Sequence, residues 1–106
     1  MLNIKKCIWI TGASTGIGRS LALYLAGKGF IVAASARSVK NLKKLKEDSK
    51  LLKGKIYTYS LDISLRNNVI STFNKIEKNL GNIGVVILNA AINEPINVKN
   101  FSSKRI

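Results

Sequence analysis

Several residue types are scarce or missing in this 106-residue sequence, and each shortage excludes a class of function. Histidine is absent, so neither a histidine-based catalytic triad nor a histidine zinc site can form from these residues. The single cysteine, Cys7, has no partner for an internal disulfide, which fits a reducing compartment and predicts a cytoplasmic protein. No apolar run approaches the roughly 18 residues of a membrane span. We therefore expect neither a metal nor a membrane as partner.

The N-terminal stretch MLNIKKCIWITG places two lysines before an apolar run, as a secretory signal does. The apolar part, Cys7–Ile10, is shorter than the ~7–15 residues that such a signal needs, and a glycine-rich segment follows at once. The sequence therefore argues against a signal peptide here.

Acidic residues are also scarce, with 5 against 18 lysines and arginines, so the net charge is +13. The lysines concentrate in residues 40–55, on one predicted helix and its flanks. A solvated surface, an anionic cofactor, an acidic partner and a nucleic acid all fit this charge. A base-stacking platform needs aromatic residues among the lysines, and residues 40–55 contain none. Nucleic-acid binding therefore rests on net charge alone.

Short apolar runs alternate with amphipathic stretches along the chain. Strands are predicted at 7–10, 31–36, 56–61 and 85–88, and helices at 17–27, 39–52 and 65–80. Near-continuous apolar strands joined by helices of ~10–15 residues predict right-handed crossovers and a parallel sheet covered on both faces. The predicted fold class is therefore α/β, a doubly wound parallel sheet of Rossmann type, in one domain over residues 1–106 with no internal repeat or linker.

The spacing of side chains also predicts how the helices are packed and capped. On the first helix, Ile17, Leu21 and Leu25 share one face. Ser38 and Ser64 precede the second and third helices and are the expected N-caps.

Residues 11–18, TGASTGIG, lie between the first strand and the first helix. Glycines allow the backbone to approach an anion closely, and the free N–H groups at the helix start point at it. The spacing is G-x-x-x-G-x-G rather than G-x-G-x-x-G, but the strand before it and the helix after it are the required context. A phosphate cradle is therefore favoured over a tight turn of small residues.

This segment resembles the T-G-x-x-x-G-I-G motif of the short-chain dehydrogenase/reductase family. Three further positions agree with the family's basic cofactor selector, its adenine-side aspartate and its N-N-A-G element: Arg37 after the second strand, Asp62 after the third, and Asn89-Ala90-Ala91 after the fourth. The resemblance departs at Leu88, where the pattern often has its first Asn, and at Ala91, which replaces a glycine. Because alanine disfavours positive φ, we expect a small local change there.

The resemblance implies that these segments surround the pyrophosphate and adenosine of a nicotinamide dinucleotide. The implied cofactor-binding residues are Gly12, Ser14, Thr15, Gly16, Ile17, Gly18, Arg37, Asp62, Ile63, Asn89, Ala90 and Ala91. Asp62 would accept a hydrogen bond from the adenine amino group, Ile63 would contact the ring, and Ala90 would lie against the ribose. Asn89 would tie the fourth strand to its neighbour. Asp62 as a helix-start residue and Asn89 as a turn residue remain open alternatives.

Arg37 bears on the choice of cofactor. Sites that prefer NAD place an acid at the end of the second strand, and here Ala36 stands in its place, followed by Arg37. The planar donor fork of a guanidinium matches a phosphate, so NADP is expected in preference to NAD. The hydroxyl of Ser14 could add a contact. An ordinary exposed arginine is the alternative.

The resemblance implies hydride transfer between the cofactor and a small-molecule carbonyl or alcohol, with a Tyr-x-x-x-Lys pair as the acid/base. Tyr24 and Lys28 have that spacing, with Ser20 one turn earlier. They lie toward the far end of the first helix, and each helical residue adds about 1.5 Å to their distance from the glycine segment. The pair is therefore too far from the site to act as the acid/base, and no catalytic residue is assigned.

In the family, the catalytic residues come after the fourth strand and the helix that follows it. We therefore expect these residues to be the cofactor-binding fragment of an NADP(H)-dependent oxidoreductase, truncated after the fourth strand, inactive alone and homo-oligomeric when full length. A non-catalytic dinucleotide-binding or partner-binding protein is the alternative. A basic nucleic-acid binder is less well supported.

Overall fold

A computed structural model, which describes residues 6–89, has alternating strands and helices. The elements are β1 (Cys7–Thr11), α1 (Gly16–Gly27), β2 (Ile31–Ala36), α2 (Val39–Asp48), β3 (Lys55–Ser60), α3 (Arg66–Leu80) and β4 (Ile83–Leu88). All neighbouring strands pair in parallel, in the order β3-β2-β1-β4. The predicted α/β fold of Rossmann type is therefore confirmed. No helix within residues 6–89 has the length and apolar character needed to cross a bilayer.

The two faces of the sheet carry separate clusters of buried side chains, because successive residues of a strand point to opposite faces. One cluster joins Ile8 and Ile10 of β1 to side chains of α1 and α2. The other joins Cys7 and Trp9 of β1 to Ile76 of α3. The sheet is therefore covered on both sides, as a doubly wound fold requires.

Helix α1 packs on the sheet through small residues. Its buried residues are Gly18, Ala22 and Ala26. The apolar face of Ile17, Leu21 and Leu25 lies beside this contact: Ile17 is 79% exposed, and Leu21 and Leu25 are partly buried at the margin of the cluster. Small side chains at spacing four allow the helix axis to come close to the strands, so the larger residues are displaced to the sides of the contact.

The ends of α2 and α3 differ from expectation in two places. Helix α2 ends at Asp48 rather than at residue 52. Just after Asp48, the Ser49 hydroxyl donates to the Lys46 carbonyl at 2.8 Å, and this bond competes with continuation of the helix. Ser38 caps α2 as predicted, since its Oγ accepts from the backbone N–H of Asn41 at 3.1 Å. Ser64 does not cap α3; its hydroxyl donates instead to the Asp62 carboxylate.

Gly54, which sequence reasoning did not single out, lies where the turn before β3 crosses the end of α1. Its N–H donates to the Ala26 carbonyl at 2.7 Å. A Cβ built at Gly54 would lie 2.0 Å from the carbonyl oxygen of Phe30. Only glycine therefore fits this crossing, which holds the α1–β2 and α2–β3 connections together.

Candidate functional site

Residues 12–15, between β1 and α1, form a loop at the carboxyl end of β1; we refer to it as the glycine loop. Gly12 has φ of 63° and Gly16, the first residue of α1, has φ of 58°. Residues with a side chain rarely adopt this conformation. A Cβ at Gly16 would meet no atom within 4 Å, so the outer side of the loop is open space among the described residues.

Hydrogen bonds fasten the glycine loop to the strands on both sides of β1. The N–H of Ala13 donates to the carbonyl of Ser35 in β2 at 3.1 Å. On the other side, Nδ2 of Asn89 donates to the carbonyl of Gly12 at 3.0 Å, and the N–H of Asn89 donates to Oγ1 of Thr11 at 3.1 Å. Asn89 therefore links the carboxyl ends of β4 and β1 and orients the loop between them.

Gly18 lies in the first turn of α1, directly behind this link. A Cβ built at Gly18 would lie 2.3 Å from the Gly12 carbonyl oxygen and 2.5 Å from Asn89 Nδ2. The absence of a side chain therefore allows the helix to start close to the loop. The same absence leaves room for the hydrogen bond between Asn89 and Gly12.

The N-terminus of α1 has features that suit an anion. The N-cap residue Thr15 is extended and makes no side-chain capping hydrogen bond within residues 6–89. The first turn of α1 carries no acidic residue. The unpaired N–H groups of a first turn and the positive end of the helix dipole favour negative charge. Together with the open space at Gly16, this arrangement fits the pyrophosphate of a dinucleotide.

Arg37 and Asp62 follow β2 and β3 at the same edge of the sheet. Oδ1 of Asp62 accepts from the hydroxyl of Ser64 at 2.7 Å and from its N–H at 3.0 Å. These two bonds lower the pKa of Asp62; desolvation opposes them more weakly, and the positive charge of Arg37 makes the smallest contribution, also lowering the pKa. Asp62 is therefore an ionised acceptor at neutral pH, with Arg37 exposed near it.

The parallel sheet brings most of the predicted site residues to one edge, because parallel strands all end on the same side. The residues that the structure places there are Gly12, Ser14, Thr15, Gly16, Ile17, Gly18, Arg37, Asp62, Ile63 and Asn89. Ile63 is 49% exposed and so offers an apolar surface beside Asp62. Ala90 and Ala91 lie outside the described residues.

Tyr24 and Lys28 lie at the opposite end of α1 from the glycine loop. Lys28 is the C-cap of the helix. Its Nζ lies 5.5 Å from the centroid of the Tyr24 ring, and both side chains are exposed. The ammonium therefore lies over the ring of Tyr24, on the surface of the helix.

Two polar residues that sequence reasoning did not place in the site support it from within the sheet. Thr11 and Ser35 are buried at adjacent positions of β1 and β2. Oγ of Ser35 accepts from Nε1 of Trp9 at 3.0 Å, while the Ser35 carbonyl accepts from the N–H of Ala13. The available signal was a hydroxyl residue near the end of an otherwise apolar strand, where the side chain must find a partner.

Comparisons with known proteins agree with this geometry. The family model for short chain dehydrogenase matches residues 6–106. A 3-oxoacyl-[acyl-carrier-protein] reductase of Thermotoga maritima is 35% identical over 91 residues, which is 86% of this chain and 37% of that protein. The chain therefore spans little more than a third of the length of this curated relative.

Two solved structures share the fold over 92% of this chain. A short-chain type dehydrogenase/reductase from Mycobacterium marinum superposes with a TM-score of 0.79 at 29% identity, over 42% of its own chain. An alcohol dehydrogenase from Thermococcus sibiricus, complexed with 5-hydroxy-NADP, superposes with a TM-score of 0.77 at 31% identity, over 44% of its chain. The family match, the strand order and the glycine loop agree, and the chain belongs to the short-chain dehydrogenase family.

Proposed function

We propose that this chain binds NADP(H) for an oxidoreductase that reduces a small-molecule carbonyl, or oxidises the corresponding alcohol, by hydride transfer. The geometry of the glycine loop is the observation that carries this proposal. Gly12 and Gly16 adopt positive φ, and the N-terminus of α1 faces open space without a side-chain cap among the described residues. These features support a pyrophosphate held by backbone N–H groups of the first turn.

The end of β2 supports NADP as the cofactor in preference to NAD. An NAD site places an acid there for the ribose 2′-OH, whereas this chain has Ala36 and then an exposed Arg37. A guanidinium offers paired donors to the 2′-phosphate. The structure of the related Thermococcus sibiricus enzyme with 5-hydroxy-NADP gives further support.

The adenine end of the cofactor is proposed to lie against Asp62 and Ile63. Asp62 uses Oδ1 for Ser64, and a carboxylate has further lone pairs that can accept from the adenine amino group. Ile63 is half-exposed beside it and offers an apolar contact to the ring. Asn89 is proposed to act indirectly, by keeping the Gly12 carbonyl and thus the loop in place.

The nicotinamide of the bound cofactor supplies the hydride in such a reaction. The residues of this chain bind and orient the adenosine and pyrophosphate, and no residue between 6 and 89 is assigned a role in proton transfer. The family resemblance is the support for carbonyl reduction, the small-molecule substrate and the homo-oligomeric state, whereas the proposed cytoplasmic location rests on the single cysteine.

The test is a titration of the chain and its Arg37→Asp variant with NADPH and with NADH. Charge-assisted hydrogen bonds contribute about 1.5–3 kcal/mol, so the variant is expected to bind NADPH roughly ten- to a hundredfold more weakly. Binding of NADH is expected to change by less than about threefold, since NADH has no 2′-phosphate.

Lys75→Glu is the matched control, because it makes the same change of two charge units on an exposed residue of α3. It is expected to leave both affinities nearly unchanged. Equal NADPH affinity in the Arg37→Asp variant and the parent chain would show that Arg37 does not select the cofactor.

A further inference from the structure

Helix α2 presents a row of lysines on the side that faces away from the sheet. Lys40, Lys43 and Lys44 are spaced by three and four residues, which places them on one side of the helix, and all are exposed. Leu42 and Leu45 are buried against the strands. Lys50 and Lys53 continue the positive charge into the turn after α2. We refer to these five lysines together as the lysine face.

The lysine face keeps most of its positive charge. Of the two acids in α2, Asp48 pairs with Arg19 of α1 and so balances a cation on another helix. Glu47, the other acid, lies four residues from Lys43 on the same helix and offsets one of the five charges. Lys46 is not part of the face, because its Nζ lies 5.5 Å from the centroid of the Tyr57 ring. The face therefore presents an excess of cations in a chain whose net charge is already +13.

An apolar side chain stands within this charge. Leu51 lies in the turn between Lys50 and Lys53 and is 99% exposed, whereas its neighbour Leu52 packs against the core. Exposing a whole leucine side chain to water gains nothing for the fold. A leucine surrounded by cations suits a partner that offers an apolar pocket bordered by anions.

We propose that the lysine face and Leu51 form a docking surface for an acidic protein. Carboxylates of the partner would meet the lysines, and an apolar pocket would take Leu51. This surface does not depend on the proposed cofactor site, since it uses neither the glycine loop nor Arg37.

Charge and burial favour an acidic protein over other occupants. A second copy of this chain has only 5 acidic residues against 18 cations and would be repelled from the lysine face. A nucleic acid would leave Leu51 without an apolar contact. A membrane surface would be reached by Leu51 alone, because the apolar side of α2 is occupied by the chain's own sheet.

The experiment measures binding of a fluorescent helical peptide, with glutamates on one face and leucines on the other, by anisotropy. Two triple variants carry the same loss of charge: Lys43→Gln, Lys44→Gln, Lys50→Gln on the lysine face, and Lys6→Gln, Lys75→Gln, Lys78→Gln elsewhere. A third variant, Leu51→Ser, keeps the charge. Circular dichroism checks that each variant is folded.

The lysine-face variant is expected to bind the peptide at least tenfold more weakly, and the control triple variant less than threefold more weakly. Leu51→Ser is expected to weaken binding at least threefold with unchanged salt dependence. Equal losses in the two triple variants, or no effect of Leu51→Ser, overturn the proposal. Tighter binding of a DNA duplex or of phosphatidylserine vesicles than of the peptide, lost in the same variants, also overturns it and assigns the face to that partner.

Discussion

Replacing Gly18 by alanine tests how closely α1 must approach the glycine loop. The added methyl would lie 2.3 Å from the Gly12 carbonyl oxygen, which is backbone and cannot swing aside. Forcing an extra carbon into a packed site costs about 1–3 kcal/mol. Loss of the hydrogen bond from Asn89 to Gly12 adds about 0.5–1.5 kcal/mol, while the better helix propensity of alanine returns up to about 1 kcal/mol. We expect net destabilisation of about 0.5–4.5 kcal/mol.

Gly27 provides the matched control within the same helix. A Cβ at Gly27 would meet only Leu52 Cδ2, at 3.9 Å, which is ordinary contact. Gly27→Ala is therefore expected to leave the free energy of unfolding unchanged or to raise it by up to about 1 kcal/mol. The difference between the two variants isolates the steric effect from helix propensity.

Urea unfolding followed by tryptophan fluorescence measures both effects. Trp9 is the single tryptophan of the chain and is 4% exposed, so its emission changes when the core opens. Gly18→Ala is expected to lower the urea midpoint without changing the slope. A Gly18→Ala variant that unfolds at the same urea concentration as the parent chain, or at a higher one, would refute the close approach of α1 to the loop.

Two further predictions concern residues at the same edge of the sheet. Asn89→Ala removes the side-chain hydrogen bond to the Gly12 carbonyl and is expected to lower the free energy of unfolding by about 0.5–1.5 kcal/mol. Urea unfolding measures this loss, and a cofactor titration is expected to show weaker NADPH binding. An unchanged free energy of unfolding together with unchanged NADPH affinity would contradict the role of this link. Because the pKa of Asp62 is lowered in the fold, its contribution to stability is present above the ordinary carboxyl pKa and is lost as the pH falls below about 4. Asp62→Asn should therefore show a flatter fall in urea midpoint between pH 5 and pH 3, and an unchanged fall would contradict this.

The sheet was predictable from the sequence, because three strands are short, largely apolar runs and β3, KIYTYS, is rich in the β-branched and aromatic residues typical of strands. The parallel orientation of the strands was predictable because the helices between them are long enough for crossover connections. The packing of α1 was not predictable from large apolar residues, since Gly18 and two alanines make the contact. Gly54 was missed because its requirement arises from two connections that meet only in the folded chain.

The sequence predicted which residues lie together at one edge of the sheet, but not the hydrogen bonds between them. The motif placed the glycine loop, Arg37, Asp62 and Asn89 at one edge, since parallel strands end together. Which donor meets which acceptor depends on distances of a few tenths of an ångström. The sequence predicts that Ser64 caps α3, whereas in the structure its hydroxyl and N–H both donate to Asp62.

The most direct test of the account is an equilibrium titration of the unaltered 106-residue chain with NADPH and NADH by calorimetry. We expect saturable binding of one NADPH per chain, at least tenfold tighter than that of NADH. No saturable binding of either nucleotide, or equal affinities for the two, would contradict it.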